Sequence, residues 1–597
     1  MLTLQSLLNP EQEICTEHNL YFRTEGGFGF SQSSGHLFLD HNALARFDTY
    51  FNLFSLEKWH SACHLDGLFA EFRGQGRVEI RIIQAFANRS WEICFCEITE
   101  LDPQSPFVAD LSTCLETGGN GVLFAEVKAL DENGATLMGG RFATNLSALP
   151  EVLPKLAVSI TTFKREREVQ HTVARLEDFL TDFAYGDQIR VQVVDNGQSA
   201  DITATPNIIP YPNRNLGGAG GFARGLLEAE EDGYSHCLFM DDDAAFHMEN
   251  IARAYTFLAL ARDSRTALAG AMINNSHKWC MWENGALFDG SCHPLYNGAD
   301  LRDPAQVRGI EFSSTHTAPP TLYGGWWFFA FPIAHVTHHP FPFFVRGDDI
   351  SFSLANDFRI FTLNGVVSFQ DDFTEKESPQ TLYLDLRNHL IHHLVFDKLE
   401  RSPLGTAKIA IRFMLRSLLR FKYESAEAQL LAWQDVMKGP KFFDENIDMS
   451  QRRADIKALM KDEVWQDAAE APAPGRARFS RLPRRLRHYL GLFTLNGHLV
   501  PFWKTIGDRM QLDIGDRGLV FPAFGGARLT YFNTRKDKAY TVTQSKRRFF
   551  SLAWRMTQTL SEFYRNYDSL KQAYRQGYAD MANKGYWEKT LKPEQAA

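Results

Sequence analysis

The stretch Cys237-Leu238-Phe239-Met240-Asp241-Asp242-Asp243 decides how this chain is read. An apolar run ends in three adjacent carboxylates. Such groups at the tip of a buried strand are costly to hold unless something cationic sits beside them. Side chains alternate along a strand, so Asp241 and Asp243 point one way and Asp242 the other. Two carboxylates one alternation apart can share a divalent cation through hard oxygen ligands, and that cation can hold a diphosphate. The bland alternative is a solvated acidic turn.

Outward from the triplet, strand and helix patterns alternate across residues 153–400. Residues 155–163 read as a buried strand running into a polar loop, and 165–183 have helical spacing. A second strand over 188–194 ends in Asp195-Asn196-Gly197, a third spans 208–211, and 220–232 suit a helix before the strand at 235–240. This alternation predicts parallel βαβ units in a Rossmann-like, mostly parallel sheet. Ligands of such sheets bind beyond the carboxyl ends of the strands. Thr161, Phe163, Arg165, Asp195 and the acid triplet all fall there.

The flanks read differently. Residues 1–152 carry short alternating segments at 36–39, 77–83, 91–98 and 121–127, separated by glycine-rich turns, which predicts a β-sandwich or jelly roll. Phe47, Tyr50, Phe51, Phe54 and Trp59 read as core rather than as a sugar-stacking surface. Residues 401–597 are mainly helical by periodicity, with a linker over 468–475. After the linker, Arg476, Arg478, Arg481, Arg484, Arg485 and Arg487 are interleaved with Phe479, Leu482, Leu486, Tyr489 and Leu490. A basic amphipathic stretch fits an anionic membrane surface, a solvated helix face or a contact within a homo-oligomer.

Composition narrows the classes. At 597 residues several domains are expected, and a net charge of −9 argues against a nucleic-acid partner. The eight cysteines form no CxxC pair, which reads as reduced thiols in a cytoplasmic protein. The N-terminal residues lack a signal-peptide layout, and no apolar run approaches bilayer length.

Three further motifs carry chemistry. The loop Asn215-Leu216-Gly217-Gly218-Ala219-Gly220-Gly221-Phe222 follows a strand and opens a helix, where backbone amides favour an anion. It partly matches a dinucleotide fingerprint, so an NAD-type oxidoreductase is a rival reading, and a tight turn with close helix packing is the bland one. In Trp326-Trp327 two adjacent indoles cannot both face a core from one strand, so one is expected to line a cleft, the bland alternative being a sheet buried on both faces. Asp348-Asp349 is a second acidic pair, able to supply a general base or to cap a helix. Arg387 could pair with a diphosphate oxygen or a carboxylate, whereas His389, His392 and His393 lie on an apolar helix pattern and read as structural.

Together these residues resemble the inverting family 2 glycosyltransferases of the GT-A fold. More narrowly, the chain is similar to the galactofuranosyltransferases that build bacterial galactan. The resemblance rests on residues 215–222, on Phe239-Met240-Asp241-Asp242-Asp243, on Trp326-Trp327, on Asp348-Asp349, and on Tyr383-x-x-x-Arg387-Asn388. Tyr50-Phe51-Asn52 with Trp59 and the three-part layout also match. It implies a UDP-galactofuranose donor, a lipid-linked glycan acceptor, and Mn²⁺ or Mg²⁺ held by Asp241 and Asp243. It implies Asp349 as general base, with Trp326, Trp327 and Asp348 near the acceptor. Thr161, Phe163, Arg165, Asp195, Asn215, Gly217, Gly218 and Asp242 would then surround the donor. One position departs from the pattern: where the family carries a third metal ligand, a histidine, this chain has Gln370 followed by Asp371. On its membrane-surface reading, the basic stretch over residues 476–487 would place the chain at the inner face of the cell membrane. A pyranose donor in the same family and a non-catalytic glycan-binding protein complete the alternatives.

Overall fold

The computed structural model describes residues 1–591 except 317, 372–375, 474, 476 and 517–518, together with the side chain of 516. Its centre is a seven-stranded mixed sheet. In spatial order its strands are Ile208–Pro212, Ile189–Asp195, Leu156–Thr162, His236–Asp241, Phe328–Pro332, Thr266–Ala269 and Arg359–Phe361. The first four are parallel, and Phe328–Pro332 runs antiparallel to its neighbours. The apolar runs are buried on both faces, as parallel strands require. Strand order reverses between Leu156–Thr162 and His236–Asp241, where such sheets open a crevice at the carboxyl ends. Thr161 pairs there with Asp241, and Thr162 with Asp195.

Helix Gly217–Glu231 packs on this edge of the sheet. Gly217 has φ +72°, and a side chain there would collide with the Phe344 carbonyl. One at Gly221 would strike Thr161, so the small residues set how closely the helix approaches.

The strands before residue 152 are hydrogen-bonded into one continuous ten-stranded antiparallel sheet. The long strand Phe69–Ala85 joins its halves, pairing with Ala135–Thr144 near its start and with Val122–Ala129 near its end. Phe47, Tyr50, Phe51, Phe54 and Trp59 are all buried, as core residues should be. Their core is continuous with that of the central sheet, and Trp59 meets Phe257 edge-on at 5.1 Å. A buried Lys58–Glu311 pair at 2.8 Å, 1% exposed on both sides, crosses the same junction.

Beyond residue 400, helices Pro403–Leu419, Tyr423–Met437 and the 36-residue Lys546–Met581 pack around Trp433. This part also contains a four-stranded sheet, Gln466–Asp467, Lys538–Thr543, Gly526–Phe532 and Asp508–Asp513, which helical periodicity did not reveal. The expected linker begins directly after strand Gln466–Asp467, with a short turn of helix at Ala468–Glu470. Of the arginine-rich segment, Arg484, Arg485 and Arg487 lie on helix Arg484–Phe493, Arg478 and Arg481 precede it in non-helical chain, and Arg476 lies outside the described residues.

Candidate active site

A cavity of about 700 Å³ opens at the crevice. Asp241 reaches it from the central strand, Gly218 from the glycine loop, and Trp326 and Trp327 from the turn before Phe328–Pro332. Asp348 and Asp349 reach it from the first turn of helix Asp348–Ala355. Residues separated by more than a hundred positions therefore share one space. Thr161, Phe163, Arg165, Asp195, Asn215, Gly217, Asp242, Asp243, Gln370 and Asp371 are not part of its lining.

Asp241 receives a hydrogen bond from Gln370 Nε2 at 2.9 Å. Burial pushes its carboxyl above the usual range, and the charges of Asp243 and Asp242 push it further. Asp242 is buried and accepts from Arg165 Nη1 at 3.0 Å, and Arg165 also pairs with Asp243. One guanidinium thus faces three carboxylates. That excess of negative charge on oxygen ligands fits a hard divalent ion. Among the described residues no group of three or more His, Cys, Asp or Glu side chains converges on one point. A two-carboxylate site completed by substrate phosphates is the usual Mg²⁺ arrangement. Of the two candidates for a third ligand, Gln370 touches Asp241 and Asp371 is exposed.

The second acidic pair follows an unusual turn. Phe344, Arg346 and Gly347 all have positive φ, at 75°, 72° and 78°. Non-glycine residues adopt that region only under tertiary constraint. The constraint comes from helix Pro379–Val395. Arg387 donates to the Phe343 carbonyl, Asn388 to those of Val345 (3.1 Å) and Arg346, and His392 Nε2 to that of Gly347 (2.9 Å). Arg387 is buried over the rings of Tyr383 and Phe443 and is not part of the cavity lining, so it braces this turn and forms no ion pair with a carboxylate among the described residues. His392 is structural, and His389 borders the cavity with Nε2 3.9 Å from Cys292 Sγ.

Burial raises both Asp348 and Asp349, and charge on Asp349 raises Asp348 further, while Arg346 lowers Asp349. Glu283, on strand Met281–Glu283, lies in the same cavity. Its carboxyl is pushed up to about 8 by burial and by Asp349, and its buried Oε1 has no hydrogen-bond partner among the described residues. No local feature marked it, since Trp282-Glu283-Asn284 reads as ordinary strand sequence. Arg346, paired with Asp385 at 3.6 Å, and Arg416 of helix Pro403–Leu419 are further cavity residues without a sequence signal.

The tryptophans correct one expectation. Both precede the strand, both are buried, and both border the cavity, instead of dividing between core and cleft. Trp326 stands edge-on to Phe222 and Phe239 at 5.0 Å, and its Nε1 has no hydrogen-bond partner among the described residues. Trp327 Nε1 donates to the Gly270 carbonyl at 2.9 Å.

The glycine loop is closed against the protein. Ala219 N–H donates to the Phe344 carbonyl at 3.1 Å, and Gly217 N–H to Asn215 Oδ1 at 3.1 Å. Those amides are used in packing, which counts against a dinucleotide pyrophosphate on that helix start. Asp195 likewise accepts from the amides of Gly197, Ser199 and Ala200 at 2.7–2.8 Å, shaping the loop beside the crevice.

No protein-family model and no curated protein sequence matches the chain. Solved structures are similar over part of it. A mannosyltransferase from Pyrobaculum calidifontis, in complex with GDP-Man and Mn²⁺, is 17% identical over 47% of this chain and 76% of its own, with a TM-score of 0.28. GalNAc-T7 with UDP, GalNAc and Mn²⁺ is 10% identical over 56% of this chain and 65% of its own, with a TM-score of 0.29. A family two carbohydrate esterase from Cellvibrio japonicus is 13% identical over 30% and 50%, with a TM-score of 0.13. At these scores the likeness carries no argument about activity, which rests on the cavity.

Proposed function

We propose that this chain is a metal-dependent inverting glycosyltransferase that moves galactofuranose from UDP to a growing, lipid-linked surface glycan. The observation that carries the reading is the single cavity joining Asp241, Asp348, Asp349 and the two tryptophans. The sugar and glycan assignment rests on the sequence motifs. A divalent ion on Asp241 and Asp243, with Gln370 and diphosphate oxygens completing its shell, would neutralise charge on the departing UDP. The chain's own work is to orient and to move one proton. Asp349 takes the proton from the acceptor hydroxyl as that oxygen bonds to the anomeric carbon, and the bond to the diphosphate breaks with its electron pair leaving on UDP. Burial favours Asp349 in this role, because a raised carboxyl is a stronger base. The tryptophans offer apolar faces to the acceptor sugar. Contact with an anionic membrane through helix Arg484–Phe493 would bring the enzyme to a lipid-linked acceptor.

UDP release from a panel of UDP-sugars, with a synthetic alkyl galactoside and with Mn²⁺ or EDTA, tests the reading. UDP-galactofuranose is expected to be used best, and EDTA to stop turnover. Asp349→Asn should bind UDP normally and lose about 10²–10⁴-fold in turnover. Near-normal turnover in that variant would remove Asp349 from the base role, and release unaffected by EDTA would remove the metal.

A further inference from the structure

Helix Pro403–Leu419 and the residues just after it carry four cations, Arg412, Arg416, Arg420 and Lys422. The arginines recur every fourth residue and so share a helix face. Arg416 and Arg420 line the cavity itself. Three of the four have partners. Arg412 donates to Ser291 Oγ at 3.3 Å, Arg420 lies 3.7 Å from Glu377, and Lys422 is 2.5 Å from the same carboxylate. Glu463, which also acts on Lys422, is engaged by Ser425 and by the amides of residues 424 and 425. Asp385, the other acid on this side, faces Arg346.

Arg416 has no carboxylate partner among the described residues. Half-buried between Arg412 and Arg420, it is destabilised as a cation by desolvation and by both neighbours. A guanidinium on a cavity wall, beside like charges and without a carboxylate among the described residues, is suited to an anionic ligand. The donor diphosphate is assigned to Asp241, which lines the cavity at the strand end, and to Asp243, which like Arg165 lies outside the lining, whereas Arg416 and Arg420 enter from the helical wall.

We infer that Arg416, supported by Arg420, forms a subsite for an anionic group, a phosphate or a carboxylate, carried by the acceptor. This rests on the glycosyltransferase reading, since it assigns the remainder of the cavity to the acceptor. The subsite explains why the cavity is acidic where the hydroxyl reacts and basic on its helical wall. It makes the enzyme selective for acceptors with a charge at a set distance from the reacting hydroxyl.

Calorimetry on the full chain saturated with UDP and Mg²⁺, using phenyl phosphate, phenyl β-D-glucuronide and phenyl β-D-galactoside, tests it. One anionic probe is expected to bind about tenfold tighter than the neutral galactoside, the scale of one charge-assisted hydrogen bond. Which anion wins identifies the source. Arg416→Gln should lose that factor with an unchanged melting temperature, and Arg416→Lys should keep part of it. Equal binding of anionic and neutral probes, or equal binding by Arg416→Gln, would overturn the inference. So would displacement of the anion by UDP, which would make Arg416 part of the donor site. If UDP does not bind at all, the glycosyltransferase reading falls, while the Arg416 comparison without UDP still reports whether the anion site exists.

Discussion

At the scale of single residues, the cavity is held together against its own charge. Glu283 has a folded value of about 8 against an ordinary 4.5, raised by burial and by Asp349. The folded form keeps this proton while the unfolded chain loses it, so stability is full below about 4.5 and is lost as pH rises through about 8. The melting temperature of the metal-free chain is therefore expected to fall across that window. Each pH unit within it is worth at most about 1.4 kcal/mol for this one group. Glu283→Gln, neutral at every pH, should flatten the decline, and superimposable profiles for the two proteins would refute the assignment. Asp241, Asp348 and Asp349 are raised in the same direction, so part of the slope should remain.

At the scale of elements, the deciding contact is between helix Pro379–Val395 and the turn before Asp348. The sequence marks both parts, since Tyr383-x-x-x-Arg387-Asn388 and Asp348-Asp349 were each legible as motifs. Their relation was not, because a side chain that braces a backbone carbonyl forty residues away has no sequence signature. Arg387 reads equally well as a diphosphate ligand until its partner is seen to be the Phe343 carbonyl. Asn388 provides the test of this element. Asn388→Ala removes the donor to two carbonyls in a turn that needs positive φ at Phe344 and Arg346. The expected loss is about 1–3 kcal/mol of stability. Turnover should fall with UDP affinity unchanged, because the variant loosens the base and leaves the donor side intact. A parallel loss of UDP binding would mean the turn serves the donor instead.

At the scale of the whole molecule, helix Arg484–Phe493 stands apart from the rest of the surface. Leu486, Tyr489 and Phe493 form an exposed apolar stripe, Phe493 is 77% exposed, and nearby Phe502 is 84% exposed. Arg481, Arg484 and Arg485 are exposed around it, whereas Arg487 turns back over the ring of Phe521 at 4.1 Å. Among the described residues no helix is long and apolar enough to cross a membrane. An apolar stripe edged by arginines matches an anionic lipid surface, where each basic residue adds about 1 kcal/mol. The chain should sediment with phosphatidylserine-containing vesicles, not with phosphatidylcholine alone, and salt should release it. Phe493→Ser with Phe502→Ser should abolish sedimentation while sparing turnover on a soluble acceptor. Loss of self-association in that variant, without any vesicle binding by the parent chain, would assign the stripe to a second copy instead.

The sequence by itself determined the alternating centre, the acid triplet at a strand end, the position of the glycine loop at a helix start and the second acidic pair. All of these are written in local order, through apolar runs, turn residues and adjacent charges whose physical meaning does not depend on distant partners. Tertiary structure alone decided that Asp241, Asp348, Asp349 and both tryptophans share a cavity, that Glu283 joins them, and that Arg416, without a carboxylate partner among the described residues, borders the same space. It also decided that residues 1–152 share a core with the central sheet and that a four-stranded sheet interrupts the C-terminal helices. Those facts follow from long-range packing, where the cost of leaving apolar surface and charge uncovered selects partners that no local pattern names.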